Sequence, residues 1–191
     1  MVKMFGALVA GTILAAPAAM AAVDLPSEGT FEVTFFMTGD PTRAAEVPAA
    51  GDKSAWSFAE TATYTNDAGH GFLHEATGRC VGMGSGNRAG TRNSGYCVYV
   101  DPDGDQIFST FDVGHNGEGQ PLRGTKEYTG GTGKYVGLTG HAEYSGSDLK
   151  TLDKDAPEVF EGHAQGSYKL GPAVAGSDTH TEQLVPGHPH Q

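Results

Sequence analysis

From Gly29 onward the chain alternates apolar and polar residues over short stretches cut by turn residues, a period of two that predicts β-strands. Eight such segments are predicted: Gly29–Met37, Ala55–Thr65, His70–Val81, Gly95–Val100, Gln106–Val113, Leu122–Tyr128, Tyr135–Ser145 and Val159–Leu170. Alternation assigns the faces. Phe31, Val33, Phe35 and Met37 share one side of the first; Trp56, Phe58, Glu60, Ala62 and Tyr64 share one side of the second. Val136, Leu138, Gly140, Ala142 and Tyr144 share a side of the seventh, and Phe160, Gly162, Ala164, Gly166 and Tyr168 a side of the eighth. Glycines in mid-strand on an apolar face let a sheet curl sharply or leave room for a ligand. Helix signals are nearly absent. The pattern predicts an all-β fold: a closed antiparallel barrel of about eight strands with a central cavity.

The ends of the chain follow other patterns. Lys3, the apolar run Met4–Ala16, Pro17 and the small-x-small triplet Ala19-Met20-Ala21 have the form of a secretory signal peptide over 1–22. The run is shorter than the roughly 20 residues that span a bilayer, and no later stretch replaces it, so no membrane insertion is expected. Residues 23–171 form the expected barrel domain, and 172–191, rich in Pro, Gly and His, a flexible tail. The Ala/Pro-rich stretch Thr38–Asp52 is expected to fold as a loop over one barrel mouth. A cleaved leader places the protein in the periplasm or outside the cell.

Charge narrows the partners. Loss of Lys3 with the leader takes the formal balance from −11 to −12. A protein this acidic repels nucleic acid and anionic membrane surfaces. The two cysteines, Cys80 and Cys97, lie in a chain bound for an oxidising compartment and are expected to form a disulfide.

Candidate chemistry is sparse. Asp101-Pro102-Asp103-Gly104-Asp105 has the acids of a calcium loop, but its glycine falls fourth rather than sixth and Asp112 stands where a Glu is needed, so the segment reads as a hairpin turn. Among the eight histidines, His70 and His74 share a face of a predicted strand, too far apart for one ion, and His141 and His163 are placed as cross-strand neighbours on the outer face. No metal and no cofactor are expected. Arg79, Arg88 and Arg92 gather around the cysteine-bounded, glycine-rich loop and suit a carboxylate or phosphate. Glu60, among Trp56, Phe58 and Tyr64, would be a carboxylate in an aromatic lining, placed for acid–base work, with Tyr64 beside it. Tyr128, Tyr144 and Tyr168 would add phenol groups to the same wall.

The run Gly130-Gly131-Thr132-Gly133-Lys134-Tyr135-Val136-Gly137-Leu138-Thr139-Gly140, followed by Tyr144, resembles the G-G-T-G-K-[FY]-x-G-x-x-G signature of the allene-oxide-cyclase-like barrels, which are related in shape to plant dirigent proteins. The stretch Cys80…Cys97…Asp101-x-Asp103-Gly104-Asp105 looks like bacterial exported members of that group, and the likeness spans roughly residues 75–145. It implies a barrel that holds an apolar small molecule and steers its cyclisation or coupling, and a homo-oligomer. No catalytic residue of the plant enzymes maps onto this chain. Three functions remain open: an isomerase, cyclase or lyase acting on a hydrophobic or aromatic compound, with a carboxylate on it as a group the arginines would take; a lipocalin-like carrier of such a compound; or a packed structural or interaction barrel.

Overall fold

The computed structural model of the 191-residue chain describes residues 25–39, 45–48, 53–87, 89–115, 117, 120–149 and 159–172. The expected signal peptide, nearly all of the expected tail, most of the Thr38–Asp52 stretch and Arg88 lie outside them.

Nine strands follow one another among the described residues: β1 (Glu28–Gly39), β2 (Ala45–Pro48), β3 (Ser54–Asn66), β4 (Thr77–Asn87), β5 (Gly90–Val100), β6 (Gln106–His115), β7 (Leu122–Gly131), β8 (Thr139–Leu149) and β9 (Val159–Lys169). Each of β3 to β9 pairs antiparallel with its sequence neighbour, β9 returns to β1, and β1 pairs with β3. That last pairing, from Val33↔Asn66 to Gly39↔Glu60, closes an eight-stranded barrel. Closure satisfies the backbone groups an open sheet would leave at its edges. The strand β2, expected as loop, continues the same seam: β1 covers the second half of β3, and β2 pairs with its first half, Ser54–Ser57.

The lumen is built by the predicted faces. Phe31, Val33 and Phe35 of β1, Ala62 and Tyr64 of β3, and Ala164 and Tyr168 of β9 are buried and alternate with exposed neighbours. An eight-stranded barrel is just wide enough for its own side chains, and the inner glycines are where the large rings go. A Cβ at Gly162 would strike the Phe35 ring, one at Gly84 the Trp56 indole, one at Gly78 the Tyr99 ring, and one at Gly82 would lie 2.6 Å from Phe58. The glycine gaps are thus filled by aromatic rings of the chain itself, and the glycine pattern alone does not mark ligand space.

Two predicted strands differ from those observed. His70–Val81 forms a strand only from Thr77. Phe72 and Leu73 are consecutive and both buried, which strand alternation forbids; Leu73 (φ 63°) and Glu75 (φ 54°) adopt left-handed backbone that turns both side chains into the core. This turn plugs one end of the barrel, with Phe72 stacked on Tyr168 at 4.5 Å between ring centroids. The start of Tyr135–Ser145 is instead a 3-10 turn, Gly133–Tyr135, and Val136 is exposed. It buries Tyr135 and precedes the buried Leu138 at the same plugged end.

Cys80 and Cys97 face each other directly across β4 and β5, bonded and buried on the inner face. No helix among the described residues is long and apolar enough to cross a membrane.

Two outcomes follow. Replacing both cysteines by alanine should cost about 3 kcal/mol, the scale for a loop of this size, read from chemical denaturation midpoints. Gly162→Val should cost about 1–3 kcal/mol because the new side chain displaces the Phe35 ring. Unchanged midpoints would refute the packing described here.

Candidate functional site

The inner face changes character along the barrel. At the plugged end Phe31, Phe72, Tyr128, Tyr135, Leu138 and Tyr168 are all buried. At the other end the inward-facing Met37, Trp56, Phe58, Glu60, Leu122 and Phe160 are only half-buried. Glu60 pairs with Cys80 in β4 and with Gly39 in β1, so its side chain shares the inner face with the buried disulfide. The expected grouping of Glu60, Trp56, Phe58 and Tyr64 on one inner face matches this register, with Glu60 nearer the half-buried end and Tyr64 deeper.

Between the two ends lies a lysine that the strand pattern did not single out. Lys126, on β7 between Gly124 and Tyr128 on the inner face, is 4% exposed. Its Nζ donates to the Tyr64 hydroxyl at 2.8 Å and the Tyr99 hydroxyl at 2.6 Å. Ser109 Oγ donates to the same Tyr99 oxygen at 3.2 Å. Four rings surround the ammonium: Tyr99 at 5.0 Å, Tyr64 at 5.2 Å, Tyr144 at 5.5 Å and Phe35 at 5.6 Å. Cation–π attraction of this kind strengthens as water is removed. Among the described residues no carboxylate forms an ion pair with Lys126. The available signal was its spacing: Lys126 stands two before Tyr128, which was assigned to the lining, but Arg123 and Glu127 on the opposite face make the segment look polar throughout.

Burial keeps the surrounding phenols protonated. It raises Tyr64 well above the ordinary phenol value of 10.0, and the neighbouring Tyr99 and Tyr128 add to the rise. Burial and then Tyr99 raise Tyr128, whose hydroxyl is enclosed without a hydrogen-bond partner. Tyr144 is raised by burial first, then by Tyr99 and by the charge of Glu60. Such phenols can donate hydrogen bonds to an oxyanion in the lumen without becoming anions themselves.

The other candidates lie apart from this centre. Arg79 and Arg92 point outward from β4 and β5, and Arg92 pairs with Asp112 at 2.7 Å. Tyr168 is packed into the plugged end. His70 and His74 lie in the turn after β3 rather than on a strand. His141 and His163 are not cross-strand neighbours: His141 pairs with Ser167 and His163 with Ser145. His163 Nε2 instead meets Asp67 Oδ2 at 2.9 Å, and Glu32 joins them in an exposed outer cluster whose ligating atoms lie within 4.8 Å of one another.

The glycine signature and the acidic turn form one structural clasp. Asp101 Oδ1 accepts from the backbone N–H groups of Asp103 at 2.9 Å and Asp105 at 3.0 Å. Its Oδ2 accepts from the Tyr135 hydroxyl at 3.1 Å and pairs with Lys134 Nζ at 2.5 Å. Lys134 also pairs with Asp103 at 2.5 Å, so an ammonium occupies the position among the carboxylates that a cation would take. Burial alone would lower the Lys134 pKa; its bonds to Asp101 and Asp103 outweigh this and raise it. At Gly133 (φ 51°) a Cβ would overlap the Asp105 carboxylate, which accounts for that glycine of the signature.

The geometry defines a class: a closed eight-stranded antiparallel barrel with an aromatic lumen, one end plugged and a lysine at its centre. No family model matches the chain, and no curated protein matches it. Among solved structures it is similar to the pterocarpan synthase dirigent protein GePTS1, at 11% identity and TM-score 0.48, covering 80% of this chain and 92% of that one. It is also similar to a protein of unknown function from the DUF3224 family of Shewanella oneidensis MR-1, at 16% identity and TM-score 0.43, covering 76% of this chain and 98% of that one. Both likenesses are loose and carry no residue role across.

The phenols set an alkaline limit. A raised pKa leaves the folded phenol protonated where the unfolded one ionises, so stability is level below about pH 10 and falls as pH rises through the folded values. In an absorbance titration at 295 nm, Tyr64, Tyr128 and Tyr144 should ionise only as the barrel unfolds. Ionisation of all seven tyrosines near pH 10 in the folded protein would contradict this.

Proposed function

We propose that the protein is an exported barrel that takes a hydrophobic or aromatic small molecule into its half-buried end and acts on it as an isomerase, cyclase or lyase. The observation that carries this reading is the asymmetry of the lumen. Large apolar side chains face inward at both ends, yet Met37, Trp56, Phe58, Leu122 and Phe160 remain half-buried while those of the plugged end are fully enclosed. A barrel built only to be packed gains by burying both ends, whereas a binding site keeps apolar surface for its ligand. The leader-like first residues and the cross-strand disulfide support export. The G-G-T-G-K-Y signature supports kinship with the exported allene-oxide-cyclase-like barrels.

In this reading Trp56, Phe58 and Phe160 hold the flat faces of the ligand, and Tyr64 and Tyr144 supply hydrogen-bond donors. Glu60 exchanges a proton with the bound molecule, its carboxylate placed among rings where proton transfer is not levelled by water. The carrier reading keeps the binding and drops the role of Glu60.

Trp56 is the only tryptophan and lies at the proposed site, so its fluorescence reports occupancy directly. Native mass spectrometry of protein purified from its own host should reveal a retained compound, and adding that compound to emptied protein should change Trp56 emission. Phe58→Ala should weaken that binding about tenfold or more. Glu60→Gln should bind the compound as the wild type does and fail to convert it; equal conversion leaves the carrier. Protein with no retained compound, and with Trp56 emission unmoved by host metabolite extract, would overturn the reading.

A further inference from the structure

The lysine at the barrel's centre points to the chemistry of the ligand. We propose that Lys126 is the docking point for an anionic oxygen, a carboxylate or a delocalised oxyanion, on a flat unsaturated or aromatic ligand. The inference rests on the barrel-ligand reading above and names the class of compound.

Lys126 is the one buried lysine among the described residues, and burying an ammonium is costly unless charge and hydrogen bonds compensate. A methionine would fill the same stem without that cost. The hydrogen bonds to Tyr64 and Tyr99 account for two of the three N–H groups. Among the described residues no carboxylate pairs with the ammonium, and burial holds the Tyr64 phenol protonated. The site is therefore a cation with phenol groups around it and no carboxylate partner among the described residues. The Tyr64 and Tyr144 hydroxyls, held neutral, extend the donor set an incoming oxyanion would meet.

Position favours entry from the half-buried end. Phe111, paired with Lys126 across β6 and β7, and Tyr144, paired with Gly124 one step toward that end, are the least enclosed aromatic rings of the core, at 8% and 9% exposure. The strand β3 runs from that end inward, so Glu60 precedes Tyr64, the partner of Lys126, by four residues, about 13 Å of strand. A planar molecule with its acid group at Lys126 would extend along the aromatic wall toward Glu60. The two charges would then address opposite ends of one compact ligand.

Two near-isosteric probes separate charge from shape: cinnamate and its neutral amide, cinnamamide, titrated calorimetrically into wild type and Lys126→Met. Wild type should bind cinnamate at least about tenfold more tightly than cinnamamide, and Lys126→Met should remove that preference by weakening cinnamate far more than cinnamamide. Equal affinities in wild type, or a preference for cinnamate that survives in Lys126→Met, would overturn the role of Lys126 and leave the barrel-ligand reading standing. Failure of both probes to bind would overturn the inference and count against that reading as well. Should the variant not fold, wild-type protein labelled with 13C at lysine Cε gives the same decision. The Lys126 signal, displaced by four ring currents, should move on addition of cinnamate and not of cinnamamide; movement with both, or with neither, refutes the proposal.

Discussion

The width of an eight-stranded barrel governs the molecule. Closure through β1 and β3 leaves a lumen that side chains from facing walls must share, so a large ring can enter only where another strand gives way. Phe35 over Gly162, Trp56 against Gly84, Tyr99 over Gly78 and Phe58 beside Gly82 are four solutions to that one constraint. The rings are thereby locked in place, and locked rings make a lining with defined distances rather than a loose apolar interior. The ordered cage around Lys126 depends on this: two of its rings, Phe35 and Tyr99, are among those seated on glycines.

Within that frame the polar groups divide between two tasks. In the clasp Lys134 bridges Asp101 and Asp103, Tyr135 bonds Asp101, and the turn between β5 and β6 is fixed. The Lys126 centre is unsaturated in charge although satisfied in two of its hydrogen bonds. Both contain a lysine bonded to oxygen and a nearby tyrosine ring, yet among the described residues only Lys134 has carboxylate partners. The contrast distinguishes a device for holding a turn from a place with capacity left for something else.

Much of the barrel was legible because a closed sheet with one buried face enforces alternation, and Phe31 to Met37, Glu60 to Tyr64 and Phe160 to Tyr168 obey it. Alternation could not foresee its own interruptions. Phe72 and Leu73 enter the core together through left-handed backbone that neither residue type advertises, and the seam strand Ala45–Pro48 exists because β3 outruns β1, a fact about pairing rather than about local composition. The central lysine escaped notice for a related reason. A strand of Arg123, Lys126 and Glu127 shows no amphipathic signal, and only the company of Tyr128 on the same face hinted at its direction.

The disulfide lies on the inside of the wall. Cys80 and Cys97 are buried among the lumen side chains rather than on the outer surface, where an oxidising enzyme could reach them. An enzyme reaches both sulfurs only while the inner face of the β4–β5 hairpin is open. Once the ring is shut, the sulfurs are as far from a dissolved reductant as from an oxidant, and the bond is kept by the wall it helps to build.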